Sequence, residues 1–308
     1  MQFAFLTGAG ASYGAGRLLP KAPPLGVGLY QDLAREFPDS WGNLPPDCVG
    51  PLQRDFEEGM SLVWHDHLDL VQRLTIDMAR YFSRFHPPAD GSDCYSRLVA
   101  ALLSHGLVHK TAFGTLNYEC VLDVAACRMG LKISYGGSPP PAGNLMIWKL
   151  HGACNLLPKA RVYSMTIVAP NIYRGPIEAV DLPVVRDRYE RGLAIPPVMS
   201  VYMPGKPTQT MSEFLTHGRQ EWADWVKDSS FVVVIGARPV MAEAYVWQPI
   251  ADSDSEVWYI GGADGDYDEF RDRLSGRLTH LASTFEGGMG ALVARLRAAD
   301  RGAARPGR

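Results

Sequence analysis

The run Gly8-Ala9-Gly10-Ala11-Ser12 stands directly behind an apolar stretch that ends at Leu6. Glycines at that spacing let the backbone turn tightly and approach a pyrophosphate, while the start of the next helix offers unpaired N–H groups and the positive end of its dipole. A dinucleotide site built for hydride transfer needs more: a third glycine three residues on, and an acidic residue closing a second strand about twenty residues later. Position 13 holds Tyr13, and Asp32 falls inside the helical run Tyr30-Gln31-Asp32-Leu33-Ala34-Arg35. The turn therefore indicates a nucleotide and counts against a dehydrogenase.

Other clusters carry less chemistry. His65, Asp66, His67 and Asp69 are ligand types, but on a continuous helix only His65 and Asp69 share a face, so a solvated surface is expected and no metal. Asp264, Asp266, Asp268 and Glu269 lack the length and glycine placement of a calcium loop and read as a loop leading into a helix. The five cysteines, Cys48, Cys94, Cys120, Cys127 and Cys154, contain no Cys-x-x-Cys pair, so neither a disulfide framework nor a four-cysteine zinc site is expected, and reduced thiols in the cytoplasm are.

The elements that must position these residues follow from patterning. Apolar strands are expected at 2–6, 111–116, 146–150, 231–235 and 257–260, each ending in glycine or a polar residue, the second at Asn117 and the third at His151-Gly152. Helical spacing covers 29–37, 52–85, 95–104, 121–129 and the neighbourhood of Trp222 and Trp225. Strands alternating with helices specify an α/β, doubly wound, Rossmann-like parallel sheet with its ligand at the carboxyl ends of the strands. Residues 1–290 are expected to form one domain with a helical insertion over about 29–105, a loop over 17–28 and an irregular, lid-like segment over about 158–210; a helix end and frayed tail follow at 291–308. Of 308 residues, 46% are hydrophobic, enough for a large core, and a net charge of -3 gives no sign of a nucleic-acid partner. The amino-terminal stretch resembles neither a signal peptide nor a membrane span, so a cytoplasmic protein is expected.

Taken in order, Gly8-Ala9-Gly10-Ala11-Ser12, Thr115-Leu116-Asn117-Tyr118-Glu119, Lys149-Leu150-His151-Gly152 and Val233-Val234-Ile235-Gly236-Ala237-Arg238 resemble the sirtuin-like superfamily: G-A-G-x-S, T-x-N-x-D, an H-G behind a strand, and an apolar strand ending near G-x-S. The resemblance implies that NAD is the substrate, held by Gly8, Ala9, Gly10, Ala11, Ser12, Thr115, Glu119, Gly236, Arg238 and Gly261, that Asn117 contacts the nicotinamide ribose, and that His151 is the general base. Glu119 replaces the family's aspartate and Arg238 its final serine. Sirtuin deacylases carry two Cys-x-x-Cys pairs after the histidine; this sequence has only Cys154 there. It is thus similar to the zinc-less bacterial branch that hydrolyses NAD in anti-phage defence, also through Leu150-His151-Gly152-Ala153-Cys154-Asn155 and Pro23-Pro24-Leu25-Gly26. The implied activity is an NAD glycohydrolase without metal, working as a homo-oligomer or with a partner protein. A non-turning NAD or ADP-ribose sensor, and a zinc-free deacylase or ADP-ribosyltransferase, are the alternatives.

Overall fold

The computed structural model describes all residues except 138–140, 160–165, 170–171, 201–207, 209, 212 and 304–308. Its strands are β1 (Phe3–Thr7), β2 (Thr111–Thr115), β3 (Lys132–Ser134), β4 (Asn144–Lys149), β5 (Leu156–Pro158), β6 (Thr166–Ala169), β7 (Ile172–Arg174), β8 (Ile177–Ala179), β9 (Thr210–Met211), β10 (Phe231–Ile235), β11 (Glu256–Ile260) and β12 (Leu278–Ala282). Its α-helices are α1 (Ala9–Tyr13), α2 (Gly26–Glu36), α3 (Pro46–Arg54), α4 (Phe56–Asp66), α5 (Leu68–Phe82), α6 (Cys94–Ser104), α7 (Val121–Arg128), α8 (Leu182–Glu190), α9 (Glu213–Asp228), α10 (Ala244–Asp252), α11 (Tyr267–Arg273) and α12 (Phe285–Ala303).

Seven strands form one all-parallel sheet in the order β12-β11-β10-β1-β2-β4-β3. Successive side chains of a strand point to opposite faces, so each central strand feeds two cores at once. Phe3, Phe5, Phe113, Ile147, Val233 and Ile235 join the core shared with α2, α5, α6, α7 and α12. Ala4, Leu6, Ala112, Trp148, Val232 and Val234 join the core shared with α9, α10 and α11. Helices on both faces explain why β1 and β10 are almost unbroken apolar runs rather than alternating ones. The fold is α/β and Rossmann-like, as the patterning predicts.

From β1 the chain crosses to β2 and β4 on one side, then returns to place β10 on the other side of β1. The crevice above β1 and β10 is consequently the topological switch point, the place where such sheets bind ligands.

Helices α2 to α6 fill the interval between α1 and β2. Asp55 caps α4, its carboxylate accepting the N–H groups of Glu57 and Glu58. Asp93 does the same for α6, accepting the Ser96 N–H at 3.0 Å and its hydroxyl at 2.6 Å. The chain breaks at His67 between α4 and α5, so the expected single helix through 64–69 is two, and His65 and Asp69 do not share a helix. Residues 26–28, expected in a loop, begin α2. Asp32 on α2 accepts from Lys21, Arg35 and the Tyr81 hydroxyl, a structural role that accounts for a carboxylate in an apolar lobe. The irregular segment contains β5 to β8, α8 and the start of β9; its lid reading falls in part outside the described residues.

Candidate active site

Two turns from opposite ends of the sequence interlock at the switch point. The Gly8 N–H donates to the Ile235 carbonyl at 3.0 Å, and the Gly10 N–H to the Gly236 carbonyl at 2.8 Å. Gly236 has φ +59°, and a Cβ there would lie 1.9 Å from the Ala11 nitrogen. A Cβ on Gly8 would lie 2.6 Å from the Ala237 Cα, so both positions require glycine for close backbone approach. The fingerprint glycine missing at position 13 thus has a counterpart from another strand. With the Ala11 N–H donating to the Gly8 carbonyl at 2.9 Å, three amides of the turn are committed, and a phosphate held here relies on the remaining amides and side chains.

Ser12 leads from the turn into a buried polar network. Its hydroxyl donates to Glu119 Oε1 at 2.5 Å, accepts from the Asn117 amide at 3.0 Å, and lies 2.9 Å from the Tyr95 hydroxyl. The other Glu119 oxygen accepts the Val121 N–H at 2.6 Å, at the start of α7. The extra methylene of glutamate over aspartate therefore spans from the glycine turn to a helix start. Burial pushes the Glu119 carboxyl above the ordinary range, against the lowering effects of Ser12, the Val121 amide and Lys149. Burial likewise raises the Tyr95 hydroxyl, keeping it a neutral phenol.

Strand register fixes the relation of Asn117 to His151. Thr7, Thr115 and Lys149 are partners across β1, β2 and β4, so Asn117 and His151 each lie two residues beyond paired ends of neighbouring strands, which run about 4.8 Å apart. The Thr115 hydroxyl accepts the Asn117 N–H at 3.2 Å and stops the strand there. Both residues are buried, Asn117 at 7% and His151 at 5% exposure. His151 Nε2 lies 3.3 Å from Glu243 Oε2, which reaches it from the segment between β10 and α10. The Tyr245 ring meets the His151 ring edge-on with centroids 6.0 Å apart, and the Arg219 guanidinium stacks 3.9 Å from the centre of the Tyr245 ring. Gly152, at φ +79°, turns the chain where a Cβ would stand 2.0 Å from the Val198 carbonyl oxygen.

Beneath the two candidates lies an ion pair at full burial. Lys149 Nζ contacts Asp123 Oδ2 at 2.7 Å, with side-chain exposures of 1% and 7%. Tyr135 donates to the other Asp123 oxygen at 2.7 Å, and Asn155 donates to Tyr135 at 3.0 Å. Burial alone would lower the Lys149 pKa; Asp123, followed by Cys120 and Glu119, outweighs it and holds the ammonium above its ordinary value. The pair ties α7, which follows Glu119, to β4, which precedes His151.

Gly8, Gly10, Ser12, Thr115, Asn117, Glu119, His151 and Gly236 thus gather along the carboxyl edge of the sheet, with Ala9 and Ala11 in the same turn. Gly261 is buried beyond β11, its N–H donating to the Ala282 carbonyl at 2.9 Å. Arg238 is exposed and forms no ion pair among the described residues; its side chain lies over Gly265, where a Cβ would approach its Cδ to 2.8 Å. Glu243, Tyr245, Arg219 and Tyr95 carry no motif. The one available signal was position, since Glu243 follows shortly after a strand end facing the switch point. Elsewhere, Asp47, Cys48 and His67 bring single donor atoms within 4.8 Å of one another. No helix among the described residues is long and apolar enough to cross a membrane.

No protein-family model matches this sequence, and neither does any curated protein. Among solved structures, similarity extends to a Sir2 in complex with the inhibitor EX-527, 2'-O-acetyl-ADP-ribose and a deacetylated p53 peptide, at 12% identity and a TM-score of 0.46, covering 96% of this chain and 92% of that one. A structure described as showing the basis of sirtuin substrate affinity matches at 13% identity, a TM-score of 0.46 and the same two coverages, 96% and 92%. A serine-to-alanine mutant of a Sir2 homologue, in complex with ADP-ribose, matches at 13% identity and a TM-score of 0.46, over 98% of this chain and 92% of that one.

Proposed function

We propose that this protein hydrolyses NAD to nicotinamide and ADP-ribose. The observation that supports this reading is the placement of Asn117 and His151 at registered ends of adjacent strands, beside the glycine turn of the switch point. Breaking the nicotinamide glycosidic bond builds oxocarbenium-like positive charge on the ribose. Asn117 supplies an amide to hold a ribose hydroxyl, and its bond to Ser12 fixes its orientation. His151 takes a proton as water adds to the anomeric carbon and nicotinamide departs, with the Glu243 carboxylate 3.3 Å from its Nε2 to orient the ring. The buried Glu119 keeps Ser12 and the turn aligned toward the pyrophosphate.

The resemblance in motif order to zinc-less bacterial proteins supports the further reading that NAD depletion serves anti-phage defence. In that setting the chain is held inactive until an assembly step, a partner protein or a small-molecule signal releases it, in the cytoplasm and without a bound metal. Incubation of purified protein with NAD, followed by chromatography for nicotinamide, tests the activity. Asn117→Ala and His151→Ala should each lower release roughly 100-fold or more. Turnover that survives both substitutions refutes the assignments, and tight NAD binding with no product would select the sensor alternative.

A further inference from the structure

Away from the switch point, a cavity of about 410 Å³ opens between the end of α5, the outer end of α7 and the start of α8. Its wall includes Arg84, Arg128, Arg186 and His86, against a single carboxylate, Asp181. Three guanidinium groups thus meet at one cavity although the chain as a whole carries a net charge of -3. Their existing partners leave charge uncompensated. Arg128 donates to the carbonyls of Pro87 and Pro88 at 2.5 and 2.9 Å, which are neutral acceptors. Arg186 is exposed and forms no ion pair among the described residues. Arg84 pairs with Glu36 at 3.0 Å, yet its buried Nε has no hydrogen-bond partner.

We propose that this cavity is an effector site for a small phosphate-bearing anion, distinct from the candidate active site. Guanidinium groups match phosphate oxygens in geometry and charge, and the volume suits a ligand between pyrophosphate and a mononucleotide in size. The start of α8 adds the positive end of a helix dipole, which the Asp181 carboxylate opposes in part. Val124 and Arg128 on the cavity wall belong to the same short helix whose first amide binds Glu119 and whose Asp123 binds Lys149. An anion drawing on Arg128 therefore pulls on the helix that seats both halves of the candidate active site. This regulatory half rests on the NAD-cleaving reading; the binding half does not.

Calorimetric titration of the full chain with inorganic pyrophosphate, and separately with AMP, tests the site. Saturable binding that weakens with added salt is expected, with AMP the tighter ligand if a nucleotide is read and pyrophosphate the tighter if phosphate alone is. Arg186→Glu, an exposed substitution that leaves the core intact, should weaken it about tenfold or more, and Arg128→Gln should do the same where circular dichroism shows it folded. No saturable binding of either probe, or unchanged affinity in Arg186→Glu, overturns the site. Nicotinamide release should change when the bound probe is present in wild type and not in Arg186→Glu. Binding with unaltered release overturns the regulatory half, and a chain that releases no nicotinamide still has its site decided by the titration.

Discussion

Replacing Lys149 by methionine isolates the most buried charge under the candidate active site. The substitution preserves length and apolar stem but leaves the Asp123 carboxylate at 7% side-chain exposure without its ammonium. Removing one member of a buried pair costs roughly 3–5 kcal/mol, because the remaining charge stays desolvated. Here the Tyr135 hydroxyl still donates to Asp123 at 2.7 Å, which sets the expected loss near the lower end, about 3 kcal/mol. For a chain of 308 residues that corresponds to a fall in Tm of roughly 4–6 °C. Urea unfolding followed by tryptophan fluorescence reads the loss directly, and the double variant Lys149→Met with Asp123→Asn should recover most of it, since the amide keeps the Tyr135 bond and carries no charge. A single-variant loss below about 1 kcal/mol, the value of an exposed pair, would refute the reasoning, as would a double variant no better than the single one. Because the pair seats α7 against β4, the single variant should also lose nicotinamide release at temperatures where it remains folded.

Three further outcomes follow from other parts of the structure. Gly236→Ala drives a Cβ to 1.9 Å from the Ala11 nitrogen, so the glycine turn must open; NAD affinity measured by calorimetry should fall at least about tenfold while the sheet persists by circular dichroism. Glu119 has a raised pKa in the folded protein, so its contribution to stability is fully present below the unfolded value and is lost as pH rises through the folded one; Glu119→Gln should remove that slope from urea midpoints measured across the acid range. Asp32 runs the other way: burial would raise it, but Lys21, Tyr81 and Arg35 outweigh burial and hold it low, so its contribution is present above the unfolded value and lost as pH falls, a slope that Asp32→Asn should abolish.

Much of the frame was legible because its signals are local. The apolar strand at 231–235 is found with the same bounds, and β1, β2, β4 and β11 lie within two residues of expectation, since buried parallel strands leave continuous apolar runs that end at glycine or polar residues. The edge strands β3 and β12 were not expected: their exposed and half-buried residues lack that run. The helices α8 and α10 have no clear helical pattern, with α8 carrying Pro183 and α10 containing Pro249, whereas α11 begins where the acidic loop after β11 is expected to lead into a helix. At the candidate site, the glycine turn and the residues Asn117 and His151 stand out in sequence because strand ends mark them. Glu243 beside His151, Tyr95 beside Ser12 and the Asp123–Lys149 pair did not, since each joins residues far apart in the chain and depends on register that no local pattern encodes.

The interlock of Gly8 and Gly10 with Ile235 and Gly236 joins the first turn of the chain to a strand made only in its last third. A ribosome therefore releases the amino-terminal glycines long before anything exists for them to close against. Until β10 slots in beside β1, the growing polypeptide has half a crevice, with Asn117 and His151 already synthesised but no finished seat for a dinucleotide. On the proposed NAD-cleaving reading, a chain terminated before β10 would lack the partner turn that completes the crevice and should release no nicotinamide.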